Sequence, residues 1–264
     1  MEIPLFPLHA VLCPGIVLPL HVFEERYRAM TRHCLDTGEP FGVVLIRDGR
    51  EVGSEGTTTL AGIGAFAEIR EAGRYPDGRF DLLAAATGRF AIESVDAGRE
   101  PYLVAQVTPL DDEIGDEPRA ERLAAVAIRR FVRYLDLMRA RDGETIEALD
   151  IRVEIESPPE DLDVPAGPSE PVEAAPAGPG ADDDDRPPTR NDLVIPDDPT
   201  VLSYLLSGIV QAELPKRQAL LEADTTVERL EGLIALLERE LVLLGRRLRV
   251  FTPDPRMFGA ARRS

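Results

Sequence analysis

Apolar positions in the first hundred residues come in short runs fenced by proline and glycine. Ile3–Phe6, Ile16–Leu20 and Phe41–Ile46 are the first three, and runs of this length between turn residues predict β-strands. Leu60–Ile69 and Phe80–Ile92 are longer and flank Pro76-Asp77-Gly78. That tripeptide suits a tight turn, so the two runs predict a long hairpin. Tyr102–Leu110 supplies one more strand. About six strands at irregular spacing fit a small closed or nearly closed barrel better than a parallel α/β sheet. One helix interrupts them: Phe23, Tyr27, Met30 and Cys34 repeat at helical spacing and Gly38 is placed to end it.

The period changes at Asp116. Pro118 sits where a first helical turn tolerates proline, and Leu123, Ala127, Phe131, Leu135 and Met138 form a long apolar stripe. Asp198-Pro199 gives an N-cap with a first-turn proline, and Leu202, Leu205, Leu206, Ile209 and Val210 form the face of the helix behind it. Pro215 opens a short helix through Leu221, and Thr225 with Glu228 spells a capping box. Val227, Leu230, Ile234, Leu237, Leu241, Leu244 and Leu248 then alternate three and four apart, as in a coiled-coil seam. Leu233, Leu236, Val242 and Leu243 widen that seam, which favours burial in an intramolecular bundle over a dimeric coiled coil.

Charge divides the chain. Between Glu154 and Asp192 there are 9 prolines and 12 acidic residues against 2 arginines, including the run Asp182–Asp185. Such a stretch buries too little apolar surface to offset chain entropy, so disorder is expected there. It carries ten of the chain's 18 net negative charges. The acidic balance argues against sequence-independent nucleic-acid binding and against anionic membrane surfaces. No apolar run approaches membrane-spanning length and no basic leader precedes one, so the chain reads as a soluble cytoplasmic protein. The expected domains are a barrel over 1–115, a linking helix over 116–142, a disordered acidic insert over 143–197 and a helical bundle over 198–250.

Three stretches carry a family resemblance. They are IPLFPLHAVLCPGIVLPLHVFEERYRAM from Ile3, GRF at Gly88–Phe90, and the segment from Asp198 through Lys216-Arg217-Gln218 into the leucine-rich final helix. In this order they resemble the N-terminal domain of the ATP-dependent protease Lon, in a stand-alone form. The resemblance implies an α+β fold, a PUA-like β pseudo-barrel followed by a C-terminal α-helical bundle. It also implies a non-catalytic module that binds unfolded or tagged polypeptides, or a protease or chaperone subunit, as a monomer or weak homo-oligomer without a cofactor. These 264 residues contain no G-x-x-x-x-G-K-[ST] loop. A serine–lysine protease domain has no counterpart either, and the one lysine, Lys216, lies inside the helical motif.

Candidate chemistry is sparse. Glu24, Arg26 and Tyr27, with Arg89 of the GRF motif, are the candidates for a peptide- or partner-binding cleft between barrel and bundle, because an arginine fork suits a carboxylate or peptide backbone. The plainer reading is that they brace a helix start. An alternative function is a small-molecule-binding or hydrolytic enzyme using the charged cluster at Glu24–Tyr27, and a third reading is RNA binding, against which the lack of a basic stripe counts. His9, Cys13, His21, His33 and Cys34 include metal-ligating types but lack ligand spacing. Gly62–Phe66, GIGAF, falls within a strand, so a bulge or barrel bend accounts for it better than a dinucleotide loop.

Overall fold

The computed structural model describes residues 1–48, 59–142, 152–155 and 192–251. Seven of the described strands form one sheet: β1 (Glu2–Leu8), β2 (Val17–Val22), β3 (Phe41–Asp48), β4 (Thr59–Leu60), β5 (Ile63–Arg74), β6 (Phe80–Asp96) and β7 (Leu103–Leu110). Their order is β1-β7-β6-β5-β3, and β1 also pairs with β3, so five strands close a ring. That closing pair is parallel, whereas its neighbours in the ring are antiparallel. Closure removes exposed sheet edges.

The long strand β6 makes the barrel irregular. One edge pairs with β5 over Phe80–Ala91, while the other pairs with β2 over Phe80–Ala85 and then with β7 from Arg89 onward. The expected hairpin is present, with Gly78 at φ 84 in its turn. The expected Leu60–Ile69 strand is split, because Ala61 donates its N–H to Leu45 O and Gly62 O accepts from Ile92 N.

Helix α1 (Glu25–Thr37) crosses one end of the barrel and buries Tyr27, Met30 and Cys34 against it, ending at Gly38 with φ 73. Phe23 departs from the expected helical stripe. It precedes the N-cap Glu24 and is 60% exposed. The chain is still extended at Glu24 (φ −70, ψ 136), so a side chain one residue earlier follows strand alternation rather than the helical face.

Four more described helices follow. These are α2 (Glu117–Asp142), α3 (Pro199–Ile209), α4 (Leu214–Glu222) and α5 (Thr226–Phe251). Asp198 caps α3, its carboxylate accepting from Thr200 N at 2.8 Å and Val201 N at 2.9 Å. Thr225 Oγ1 accepts from Glu228 N, and the Glu228 carboxylate reaches back to Asp224 N. Glu113 and Thr225 form a parallel bridge, so α2 and α5 start side by side. Ion pairs Arg119–Glu231 and Arg130–Glu238 follow along them in the same direction. Phe131, Leu202, Leu206, Leu230, Leu233 and Leu237 fill the core between these helices, each contributing about 2 kcal/mol by burial. The expected widening of the α5 seam stops there. Val242 is 52% and Leu243 40% exposed, because the face they occupy turns away from α2 and α3.

Within the range 143–197, β8 (Arg152–Ile155) and β9 (Asp192–Ile195) pair in parallel, which corrects the expectation of disorder at those two places. Their RVEI and DLVI sequences are rich in β-branched and aliphatic residues, unlike the acidic stretch between, which lies outside the described residues. Ile195 is fully buried in the bundle core.

Among the glycines fixed by close approach, two bear on the barrel filling and its contact with α3. A Cβ on Gly64 would stand 2.5 Å from Val43 O and 2.6 Å from the Phe90 ring, so GIGAF makes room for the aromatic filling of the barrel. A Cβ on Gly208 would stand 2.6 Å from the Ile16 side chain, where α3 meets the β1–β2 connection. Gly208→Ala should therefore cost about 1–3 kcal/mol through overpacking. A urea midpoint unchanged from wild type would show that the α3–barrel contact is looser than described.

Candidate functional site

Helix α4 lies between barrel and bundle, and its C-terminal carbonyls have no partners within the helix. Two arginines from other elements supply them. Arg89 of β6 donates through Nη1 to Leu221 O at 2.9 Å and Ala223 O at 2.7 Å. Arg229 of α5 donates to Leu220 O at 3.1 Å, Ala223 O at 3.3 Å and Ser203 Oγ at 3.2 Å. Both positive charges also suit the negative end of the α4 dipole. Asp112 balances them, 3.0 Å from Arg89 and 3.9 Å from Arg229, and accepts from the Tyr204 hydroxyl. The Arg229 guanidinium lies 3.8 Å from the Tyr204 ring centroid, a cation–π contact in a desolvated setting. Burial pushes the Tyr204 phenol upward, and the bond to Asp112 adds to the shift.

Lys216-Arg217-Gln218 extends this stitching. Arg217 Nη2 donates to Gly208 O at 2.9 Å, near the end of α3, and to Val11 O at 3.2 Å on the β1–β2 connection. Gln218 donates to Ile63 O at 3.0 Å where β5 begins. Above it Arg47 of β3 pairs with Glu222 of α4 at 2.5 Å. Gln218, Arg47 and Glu222 border a cavity of about 460 Å³ at the barrel–bundle junction, walled by Leu45 and Ile46 on one side and Leu214 and Pro215 on the other. His9 stands at its rim.

The four sequence-derived candidates fall into two places. Arg89 is 3% exposed and is committed to α4 and Asp112. Glu24, Arg26 and Tyr27 sit where β2 passes into α1. Arg26 Nε donates to Glu24 Oε2 at 3.1 Å and its guanidinium lies 4.4 Å over the Tyr27 ring. Tyr27 is buried against Phe6 with ring centroids 4.3 Å apart. Arg28 fastens this helix start to the hairpin turn, donating to Gly78 O at 2.7 Å and Asp77 O at 3.0 Å. Tyr27 and Arg89 thus belong to separate parts of the structure: Tyr27 packs in one core cluster, while Phe90, next to Arg89, packs in another with Tyr204 and Leu221. Exposed Phe23 lies beside the first group, stacked at 6.3 Å on His21, which itself contacts Tyr75 at 6.0 Å.

Sequence reasoning missed Arg229, Tyr204 and Asp112, and gave no role to Gln218. A signal for Arg229 exists: Thr226, Arg229, Leu230 and Leu233 share one face of α5 by spacing, and an arginine on an otherwise apolar face needs buried acceptors.

The cysteines are separate and buried. Burial pushes the Cys13 thiol up to about 11 and, with Glu39 adding, the Cys34 thiol up to about 12. Among the described residues no group of three or more His, Cys, Asp or Glu side chains is arranged to hold a metal ion. Nor is any described helix long and apolar enough to cross a membrane.

A closed barrel stitched to a helical bundle around a junction cavity places the chain in the α+β class. Residues 2–239 match the family described as the ATP-dependent protease La (LON) substrate-binding domain, and the chain belongs to that family. The Lon protease of Escherichia coli K12 is 24% identical over 245 residues, which are 92% of this chain and 25% of the relative. The Lon protease of Porphyromonas gingivalis is 30% identical over 112 residues, 42% of this chain and 13% of the relative. The chain thus spans about a quarter, or less, of the length of these curated relatives. The Lon N-terminal domain protein of Xanthomonas campestris has the same fold, with a TM-score of 0.51 at 22% identity, covering 89% of this chain and 98% of that one. The N-terminal domain of Mycobacterium avium complex Lon protease matches at a TM-score of 0.53 and 16% identity, covering 90% and 98%.

Two predictions follow from the junction and the thiols. Arg89→Met leaves Leu221 O without its side-chain donor and deprives Ala223 O and Asp112 of one partner each, and should cost about 3 kcal/mol in chemical denaturation; a loss below a few tenths would remove Arg89 as the barrel–bundle fastener. For the thiols, the folded state holds its protons above the pH at which unfolded thiols, with pKa 9.0, release theirs. Their contribution to stability is therefore intact below about pH 9 and lost as pH rises toward 11 and 12. A Cys13→Ala/Cys34→Ala chain should show a shallower alkaline decline in its urea midpoint than wild type, and equal slopes would contradict this.

Proposed function

We propose that this chain is a polypeptide-recognition module, an adaptor that engages unfolded or tagged chains and presents them to a protease or another machine. The match of residues 2–239 to a protease substrate-binding domain carries this reading. The apolar walls of the barrel–bundle cavity support it, since unfolded chains are recognised chiefly through apolar contacts. In this reading Glu24, Arg26 and Tyr27 form a contact region together with exposed Phe23, where Arg26 and Glu24 meet backbone polar groups and the phenyl ring meets an apolar side chain. Arg89 serves indirectly, by holding α4 against the barrel.

The test is binding of a fluorescent, permanently unfolded polypeptide measured by anisotropy. Glu24→Ala/Arg26→Ala and Phe23→Ala, each verified as folded by its urea transition, should weaken binding about tenfold. Full binding by both variants would remove this region from the recognition surface. No binding by wild type would overturn the polypeptide reading itself.

A further inference from the structure

The cavity at the barrel–bundle junction contains a polar group that the fold leaves unanswered. Gln218 lines the cavity and is only 2% exposed. Its side-chain NH₂ donates to Ile63 O at 3.0 Å and to Glu222 Oε1 at 2.9 Å. Both partners accept, so they dictate which end of the amide faces them. The amide oxygen, Oε1, is buried without a donor. Glu222 Oε1 takes a second bond from Arg47 at 2.5 Å, so the charges of that pair answer each other. The other lining residues are Leu45, Ile46, Leu214 and Pro215, with His9 at the rim. The site therefore offers aliphatic walls, one acceptor without a donor, and the Arg47–Glu222 pair whose charges answer each other.

We propose that this chamber is a subsite for a short apolar stretch of extended polypeptide, with a backbone N–H of the bound chain donating to Gln218 Oε1. The inference rests on the polypeptide-recognition reading and makes it specific. A phosphate, nucleotide or carboxylate ligand finds no unpaired cation here, and a sugar would waste its hydroxyls on aliphatic walls. An aliphatic side chain next to an amide N–H satisfies both features. A volume of about 460 Å³ lies at the small end of ligand sites, which run from about 300 to 1,000 Å³, so it suits one or two residues and not a folded partner. Gln218 would thus confer preference for the peptide linkage, and the aliphatic walls preference for leucine-like side chains.

The experiment uses the full chain, ¹⁵N-labelled, titrated with acetyl-Leu-Leu-amide and with its depsipeptide analogue, in which an ester oxygen replaces the central N–H. The unfolded fluorescent polypeptide is titrated in parallel. The amide ligand should shift the Gln218 side-chain NH₂ resonances, and the ester should bind about tenfold more weakly. In Gln218→Met, whose folding is checked by its amide spectrum, the two ligands should bind alike. Equal binding of amide and ester to wild type, or shifts confined to residues away from Leu45, Leu214 and Gln218, would overturn the subsite. If the unfolded polypeptide still binds in that case, recognition survives and only this chamber is lost. If neither the ligands nor the polypeptide binds, both readings fall.

Discussion

Two guanidinium groups, from Arg89 and Arg229, carry positive charge into the junction between barrel and bundle, where water is excluded. The α4 carbonyls and Asp112 receive them. Without that reception α4 would present bare acceptors at its C-terminus, and each arginine would be a buried unpaired charge. The constraint is mutual: α4 needs both arginines, and each arginine needs α4 in place. The orientation of barrel and bundle is thereby tied to the integrity of a nine-residue helix.

That dependence reaches into both cores. Strand β6 alternates, so Arg89 faces the junction while Phe90 points into the barrel, where Gly64 leaves space for its ring. On the other side Arg229 adjoins Leu230, which is fully buried among α2, α3 and α5. Each core thus ends in an arginine beside its own apolar anchor. The α3 and α4 helices meet the barrel by the same rule: Arg217 caps α3 and Gln218 reaches β5 through side chains donating to main-chain carbonyls. Geometry at this junction is fixed by hydrogen bonds of defined direction, where apolar contact alone would permit sliding.

Most element identities were legible because they depend on local chemistry. Gly38, Gly78, Asp198-Pro199 and the Thr225–Glu228 box act within a few residues of themselves, and each does what its position implies. Phe23 was misplaced because strand and helix patterns overlap for one residue at their junction. The split at Ala61–Gly62 depends on bonds to β3 and β6, distant in sequence. For the candidate site the limit is sharper. Arg89 could be singled out from its motif, but its carbonyl acceptors at the end of α4 lie more than a hundred residues along the chain, and no local pattern encodes them. Gln218 is uninformative as a sequence letter, since its importance lies in having two acceptors for its NH₂ and none of the complementary donors for its oxygen.

The parallel pairing of β8 with β9 has a consequence for how this chain is held. Parallel neighbours cannot be joined by a tight turn, so the connection must travel back along the pair. With four residues in each strand, the points of departure and return lie roughly 10–13 Å apart. The ladder therefore holds the residues at 152–155 beside those at 192–195 in a fixed register. Because Ile195 at the end of β9 is fully buried in the bundle core just ahead of α3, the ladder anchors residues 152–155 to the entrance of the bundle.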